Sequence, residues 1–219
     1  MPIVQLKPLE ESFMKIVFGK LTRLDAIILC EGKTEVETVK HIVNKLNIEV
    51  PVTIGLADCE GITEVPKAVI AVASLAKVAR KLRNIGVIVD AENQSHINRA
   101  QSIIDSLEAR GFKVEDLRTV EGSQQVFETT IRTDEKTVAL TIAVSGITHY
   151  PFRKHTIENH AVELMLLEGK IEENTINKHE TAEEIVNKEK TLETIKQANR
   201  ENIEKAYNHV IQILKQLTI

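Results

Sequence analysis

The chain has 219 residues, 42% hydrophobic, 3% aromatic and 27% charged, with a formal net charge of −4 and a pI near 6.0. These values fit one ordinary domain with an appendage, or two small domains, around a core of Ile, Val, Leu and Ala, and they argue against disorder. They exclude a protein that coats nucleic acid through a global positive field. Residues 1–155 carry 20 Lys+Arg and 20 Asp+Glu, and residues 156–219 carry 8 and 12. Binding of a polyanion therefore needs a local patch or a metal ion.

No stretch approaches the ~20 apolar residues that span a bilayer. The longest apolar-leaning run, 65–79, is interrupted by Lys67 and Lys77. Met1-Pro2-Ile3-Val4-Gln5 does not build a basic region followed by an apolar one, so a cytoplasmic protein without a membrane partner is expected. Cys30 and Cys59 lack metal-ligand spacing and read as buried free thiols.

Residues 1–23 read as an N-terminal extension in which Pro8-Leu9-Glu10-Glu11 opens a helix through Phe18. The first firm strand is Asp25-Ala26-Ile27-Ile28-Leu29-Cys30, continuously apolar after Asp25, as a strand buried on both faces should be. Glu31-Gly32-Lys33-Thr34 turns the chain, and Thr34 with Glu37 has capping-box spacing. Val36, Val39, Val43 and Leu46 then mark one helical face. Val52 to Ala57 is a second strand. A helix over 63–83 follows, burying Val69, Val72, Ala76 and Leu82. Ile85 to Asp90 is a third strand. Ser95 caps a helix whose face is Ile97, Ala100, Ile104 and Leu107, and Gly111 stops it. Phe112 to Leu117 is a fourth strand. This alternation predicts a parallel sheet covered by helices on both faces.

Gln125 to Arg132 and Lys136 to Ser145 read as a hairpin turning at Thr133-Asp134-Glu135. The chain is helical after Phe152. Ile203, Ala206, Val210, Ile213 and Leu217 repeat at spacings of 3, 4, 3 and 4. That stripe packs on its own domain or forms a homodimer through the C-terminal helix. The expected domains are the extension 1–23, an α/β domain over 24–155 and a helical C-terminal extension over 156–219.

Two buried strands run into acids, Glu31 and Asp90. In a parallel sheet such ends share the edge where ligands bind. Glu35 lies in the first turn of the following helix, and Glu92 stands two residues beyond Asp90 in an extended end. Clustered carboxylates repel unless a cation neutralises them or some stay protonated. An all-oxygen donor set selects a hard ion, Mg²⁺ or Mn²⁺. Each acid taken singly also suits a helix start, where it favours the dipole and caps N–H groups.

The segment AIILCEGKTEVETVKHIV resembles the first motif of the Toprim superfamily, an apolar strand followed by Glu-Gly and a polar turn into a helix. VIVDAEN resembles the second, an apolar strand ending in Asp-x-Asp. Type IA and II topoisomerases, bacterial-type primases, OLD-family nucleases and small ribosomal-RNA maturase nucleases share these motifs. The resemblance spans roughly residues 24–120 and implies a Rossmann-like Toprim fold. It implies that Glu31 is the general acid/base, that Asp90 and Glu92 hold metal, and that Glu35 is the extra acid of the OLD-like Glu-Gly-x-Thr-Glu form. The whole layout resembles a stand-alone, largely archaeal Toprim-like family of unknown function, in which a Glu-bearing helix follows the last strand. His155-Thr156-Ile157-Glu158 corresponds to its start, which adds Glu158 to the metal candidates.

Departures accompany the likeness. Glu92 replaces the usual second aspartate. No ATPase half, zinc ribbon or helicase-binding region is evident. Tyr150 and Tyr207 have no nucleophile context, which argues against a covalent topoisomerase step. Gly32-Lys33-Thr34 lacks the first glycine of a P-loop, since residue 27 is Ile27. Lys33, Arg153 and Lys154 are the phosphate-binding candidates. Lys77, Arg80, Lys81 and Arg83 make a basic helix end, and His149, His155 and His160 lack zinc spacing. The expected function is Mg²⁺-dependent phosphodiester chemistry on DNA or RNA, nuclease-like or nucleotidyl-transferring. The alternative is a non-catalytic nucleic-acid-binding or assembly module.

Overall fold

The structure is a computed structural model that describes residues 3–6, 23–49, 51–76, 79–133 and 136–218. The helix expected over 8–18 lies outside them, as do Lys77, Asp134 and Glu135.

An eight-stranded sheet forms the middle layer among the described residues. Its strands are β1 (Ile3–Leu6), β2 (Ala26–Cys30), β3 (Ile54–Asp58), β4 (Asn84–Asp90), β5 (Lys113–Val114), β6 (Arg118–Thr119), β7 (Val126–Arg132) and β8 (Thr137–Ser145). The order is β1-β3-β2-β4-β8-β7-β5, with β6 also pairing β7. From β1 to β8 the neighbours are parallel, and β7 turns the remainder antiparallel. The chain is therefore α/β, with a mostly parallel mixed sheet flanked by helices.

The fourth parallel strand differs from the expectation. Phe112 to Leu117 does not join the parallel set. Lys113–Val114 instead pairs antiparallel with the Ile131–Arg132 end of β7. The place beside β4 goes to β8, the second arm of the hairpin. The reason is burial. Lys113, Glu115 and Asp116 are exposed, whereas the run from Leu140 to Ser145 is buried throughout. A central strand needs the second kind of sequence.

Helix α1 (Lys33–Leu46) buries Val36, Val39, Ile42, Val43 and Leu46. Its cap is Gly32, whose N–H donates to Glu35 Oε2 at 2.9 Å, in place of the expected Thr34–Glu37 pair. Glu37 instead pairs with Lys40 at 2.9 Å. Helix α2 (Val65–Leu75) is shorter than 63–83, although Ala76 and Leu82 are buried as expected. Helix α3 (His96–Glu108) is capped by Ser95, whose Oγ accepts the Asn98 N–H at 3.3 Å. Its inward face is Arg99, Ala100, Ile103, Ile104 and Leu107, while Ile97 is 45% exposed. The helical period places 99, 100, 103, 104 and 107 together and leaves 97 outside that face.

One face of the sheet packs Ile27, Leu29, Val87, Val89 and Ile142 against α2 and α3. The other packs Ile28, Ile54, Leu56, Ile88 and Ala143 against α1 and the C-terminal helices. Of the helices α4 (Ile157–Leu167), α5 (Glu173–Ile176), α6 (Lys188–Gln197), α7 (Arg200–Ala206) and α8 (Asn208–Gln216), all but α5 contribute to that core, and α5 buries Ile176 in a third cluster with Phe152, Ala161 and Met165. Cys30 and Cys59 belong to different cores, and both are free and buried.

The C-terminal stripe is broken at Tyr207, yet all five of its residues are buried in the second core. A Cβ on Gly86 of β4 would lie 2.9 Å from Leu217 Cδ1 and 3.2 Å from Ile213 Cδ1. A glycine there lets α8 close on the sheet. The stripe is thus spent within its own chain. No helix among the described residues is long and apolar enough to cross a membrane.

Candidate metal centre

β2 and β4 are parallel neighbours, with Cys30 opposite Ile88. Their C-terminal ends therefore share one edge. The Glu31 N–H donates to the Ile88 carbonyl at 2.9 Å, which carries the ladder one residue past β2. Glu31 Oε2 then accepts the Asp90 N–H at 3.1 Å. Asp90 Oδ1 accepts the Ile157 N–H at 2.8 Å, at the first residue of α4. That bond draws the N-terminus of α4 onto the strand ends and brings Glu158 with it.

Four acids interact in this crevice. Burial raises the Asp90 carboxyl well above the usual range, and the charges of Glu35, Glu31 and Glu158 add to it. Burial, then Glu158 and Glu31, push Glu35 up to about 7. Glu31 is raised by burial, against the Asp90 N–H and the Arg99 charge, which favour its anion. Glu158 is raised by burial, with Glu183 adding to it. Removing carboxylates from water disfavours their charged form, and like neighbours deepen the effect.

Glu92 stands at the rim. Its φ of +55° lies in the left-handed region. Its backbone forms a two-bond bridge with His155, at 2.9 Å from the Glu92 N–H and 2.8 Å back from the His155 N–H. Its Oε2 pairs with Lys154 at 3.1 Å. The other phosphate candidates are placed differently. Arg153 pairs with Glu180 at 3.0 Å, and Lys33 opens α1 in an exposed position. Arg80, Lys81 and Arg83 precede the start of β4, at the strand edge opposite the acids.

The donor set is all oxygen, and several members are buried close to one another. That chemistry suits a hard divalent ion, which keeps several waters and needs few carboxylates. Among the described residues, no three His, Cys, Asp or Glu side chains are gathered into a ready-made metal shell. An ion here would be held with water filling part of its sphere.

Sequence reasoning missed Arg99. It lies on the buried face of α3 at 9% exposure, and its Nη2 donates to the Ala91 carbonyl at 3.3 Å, between Asp90 and Glu92. The available signal was an arginine at an apolar-face position. Tyr207 is wholly buried, feels the Glu158 charge and interrupts the C-terminal helical stripe. His160 was weighed only for zinc. Its Nδ1–H donates to the Ala206 carbonyl at 2.7 Å, its Nε2 accepts the Gly146 N–H at 2.9 Å, and its ring lies 4.1 Å from that of His209.

Together, the strand order and the acidic crevice define an α/β protein with a mostly parallel mixed sheet and its candidate ligand site at the carboxyl ends of the central parallel strands. Residues 25–217 match the family described as Protein of unknown function (DUF3226), and the chain belongs to that family. No curated protein and no solved structure matches it.

Proposed function

We propose that this chain performs Mg²⁺- or Mn²⁺-dependent phosphodiester chemistry on nucleic acid, nuclease-like, at a Toprim-type acidic site. The observation that carries the reading is the bond from the Asp90 N–H to Glu31 Oε2 at 3.1 Å, which joins two acids from separate strand ends. Asp90, Glu92, Glu35 and Glu158 would hold the ion. When bound, the metal would supply charge stabilisation at a scissile phosphate.

The remaining chemistry falls to side chains. Glu31 is half-buried, and burial raises its affinity for a proton. It is the group suited to exchange a proton with an attacking water or a leaving oxygen. Glu92 and Lys154, paired at the rim, meet the substrate backbone first. Transfer of a nucleotidyl group would use the same parts.

A second reading, a non-catalytic Toprim-like module, is favoured by one observation. Asp90 Oδ1 is already engaged on the Ile157 N–H. Such a bond is also what a purely structural helix cap makes.

The test incubates the protein with labelled single- and double-stranded DNA and RNA, with Mg²⁺ or Mn²⁺, beside Glu31→Gln and Asp90→Asn. Metal-dependent cleavage or transfer lost in both variants is expected. Cleavage that survives both variants, or no cleavage together with no Mn²⁺ binding, overturns the proposal. Salt-sensitive binding without cleavage selects the module.

A further inference from the structure

A buried guanidinium stands beside the acids without a counter-ion. Arg99 is 9% exposed, and it makes no ion pair with any acid among the described residues. Its one hydrogen bond goes to a neutral carbonyl, that of Ala91, at 3.3 Å. Its Nε is buried with no partner. A guanidinium has five N–H donors in a fixed fork, and leaving it buried with one long bond is costly.

Its position narrows the missing partner. Ala91 lies between Asp90 and Glu92, and the Arg99 charge acts on Glu31. The partner must therefore carry negative charge yet enter a crevice lined with carboxylates. A phosphoryl group does so when a divalent ion offsets the acids, and its oxygens match the guanidinium fork.

We propose that Arg99 is the phosphate-recognition residue of this site, its guanidinium, held at Nη2 by the Ala91 carbonyl, donating to a phosphoryl oxygen of the substrate. The inference rests on the acidic metal-site reading and deepens it, because it assigns substrate anchoring to α3 rather than to Lys33, Arg153 or Lys154. Those three are exposed, and two of them are already paired with glutamates. The shared ligand chemistry is a phosphoryl oxyanion, either in a diester or free.

The test follows the Arg99 Nε–H resonance by ¹H–¹⁵N NMR, assigned by its loss in Arg99→Lys. Dimethyl phosphate and inorganic phosphate are titrated separately, with and without Mg²⁺. A saturable shift in Mg²⁺ is expected, and the probe that binds more tightly identifies diester or free phosphate as the source. Arg99→Met should weaken that probe roughly 10- to 100-fold, as loss of a charged hydrogen bond does. It should leave Mn²⁺ affinity, read by EPR, within about threefold of the parent (on the order of 0.6 kcal/mol). An unmoved resonance with both probes, or unchanged phosphate affinity in Arg99→Met, overturns the inference. Absent Mn²⁺ binding in the parent protein sinks the metal-site reading and this inference with it, whereas Mn²⁺ binding with an unmoved Arg99 resonance overturns this inference alone.

Discussion

The Asp90 N–H donates to Glu31 Oε2 at 3.1 Å, so a side chain at the end of β2 is tied to the backbone at the end of β4. The same residue, Asp90, reaches onward through Oδ1 to the Ile157 N–H at 2.8 Å. Three segments distant in sequence are thus strung together by two acids, and the charges gathered there act on one another.

Asp90 can be dissected by two substitutions. Asn retains an oxygen for the Ile157 N–H and removes the charge. Ala removes both. Without metal near pH 8, Asp90→Asn should unfold at higher denaturant than the parent, because a buried repulsion is gone. Asp90→Ala should be less stable than Asp90→Asn by about 1 kcal/mol, the worth of a helix cap. Urea unfolding checks both. Equal stability of the two variants would mean that the Asp90 bond to α4 is of no consequence.

The acids set a pH dependence that metal should reverse. Glu35 is raised from 4.5 to about 7 on folding. The folded chain therefore keeps this proton longer than the unfolded chain. The stability it contributes is fully present below pH 4.5 and is lost as pH rises through about 7. The limiting effect is on the order of 3 kcal/mol. Urea midpoints should fall between about pH 4.5 and 7 in chelator, and level off above that range. Millimolar Mg²⁺ should restore most of the loss at the upper pH. Glu35→Gln should flatten the metal-free profile. A pH 8 midpoint indifferent to Mg²⁺ would count against the ion.

The buried histidines act with the opposite sign. Burial depresses His160 from 6.5 to about 3, and it holds His209 well below its usual range. Their contribution is complete above pH 6.5 and is lost as pH falls towards 3. His160→Ala should cost about 2–4 kcal/mol at neutral pH, since it strips partners from the Gly146 N–H and the Ala206 carbonyl. It should also blunt the acid-side loss. Chemical denaturation at pH 7 and pH 5 reads both effects.

Gly146 holds a backbone that other residues resist, with φ at +113°. An added Cβ would lie 2.6 Å from the backbone of His155. Gly146→Ala should lose about 2–5 kcal/mol from strain and overlap together. Because His155 bridges Glu92, the variant should also weaken Mn²⁺ binding. A Tm within a degree of the parent would show that the segment yields freely.

The tail stripe gives a test of assembly. Val210 is fully buried within its own chain. Val210→Asp should unfold the protein, at a cost of about 4 kcal/mol or more for an unpaired buried charge. A stripe that served as a dimer seam would instead yield a folded monomer, which size-exclusion chromatography with circular dichroism would reveal.

The sequence by itself determined the elements whose signal is local. Ala26 to Cys30 and Ile85 to Asp90 can only be buried strands, because each is a short, continuously apolar run closed by an acid. The hairpin from Gln125 to Ser145 and the Ser95 cap were legible for the same reason, whereas the meeting of Glu31 and Asp90 at one sheet edge followed only once a parallel sheet was assumed. Pairing is a different matter. That β8 and not Phe112 to Leu117 lies beside β4 was decided by which segment could bury a continuous run, here Leu140 to Ser145, against α3 and α8, a competition among parts of the chain that no local window contains. The rotation of α3 that turns Arg99 inward, the break at Tyr207 and the docking of the Ile157 N–H onto Asp90, which brings Glu158 near, were likewise settled by packing. Hydrophobic pattern reports which residues leave water, and only the assembled core fixes which buried groups face one another.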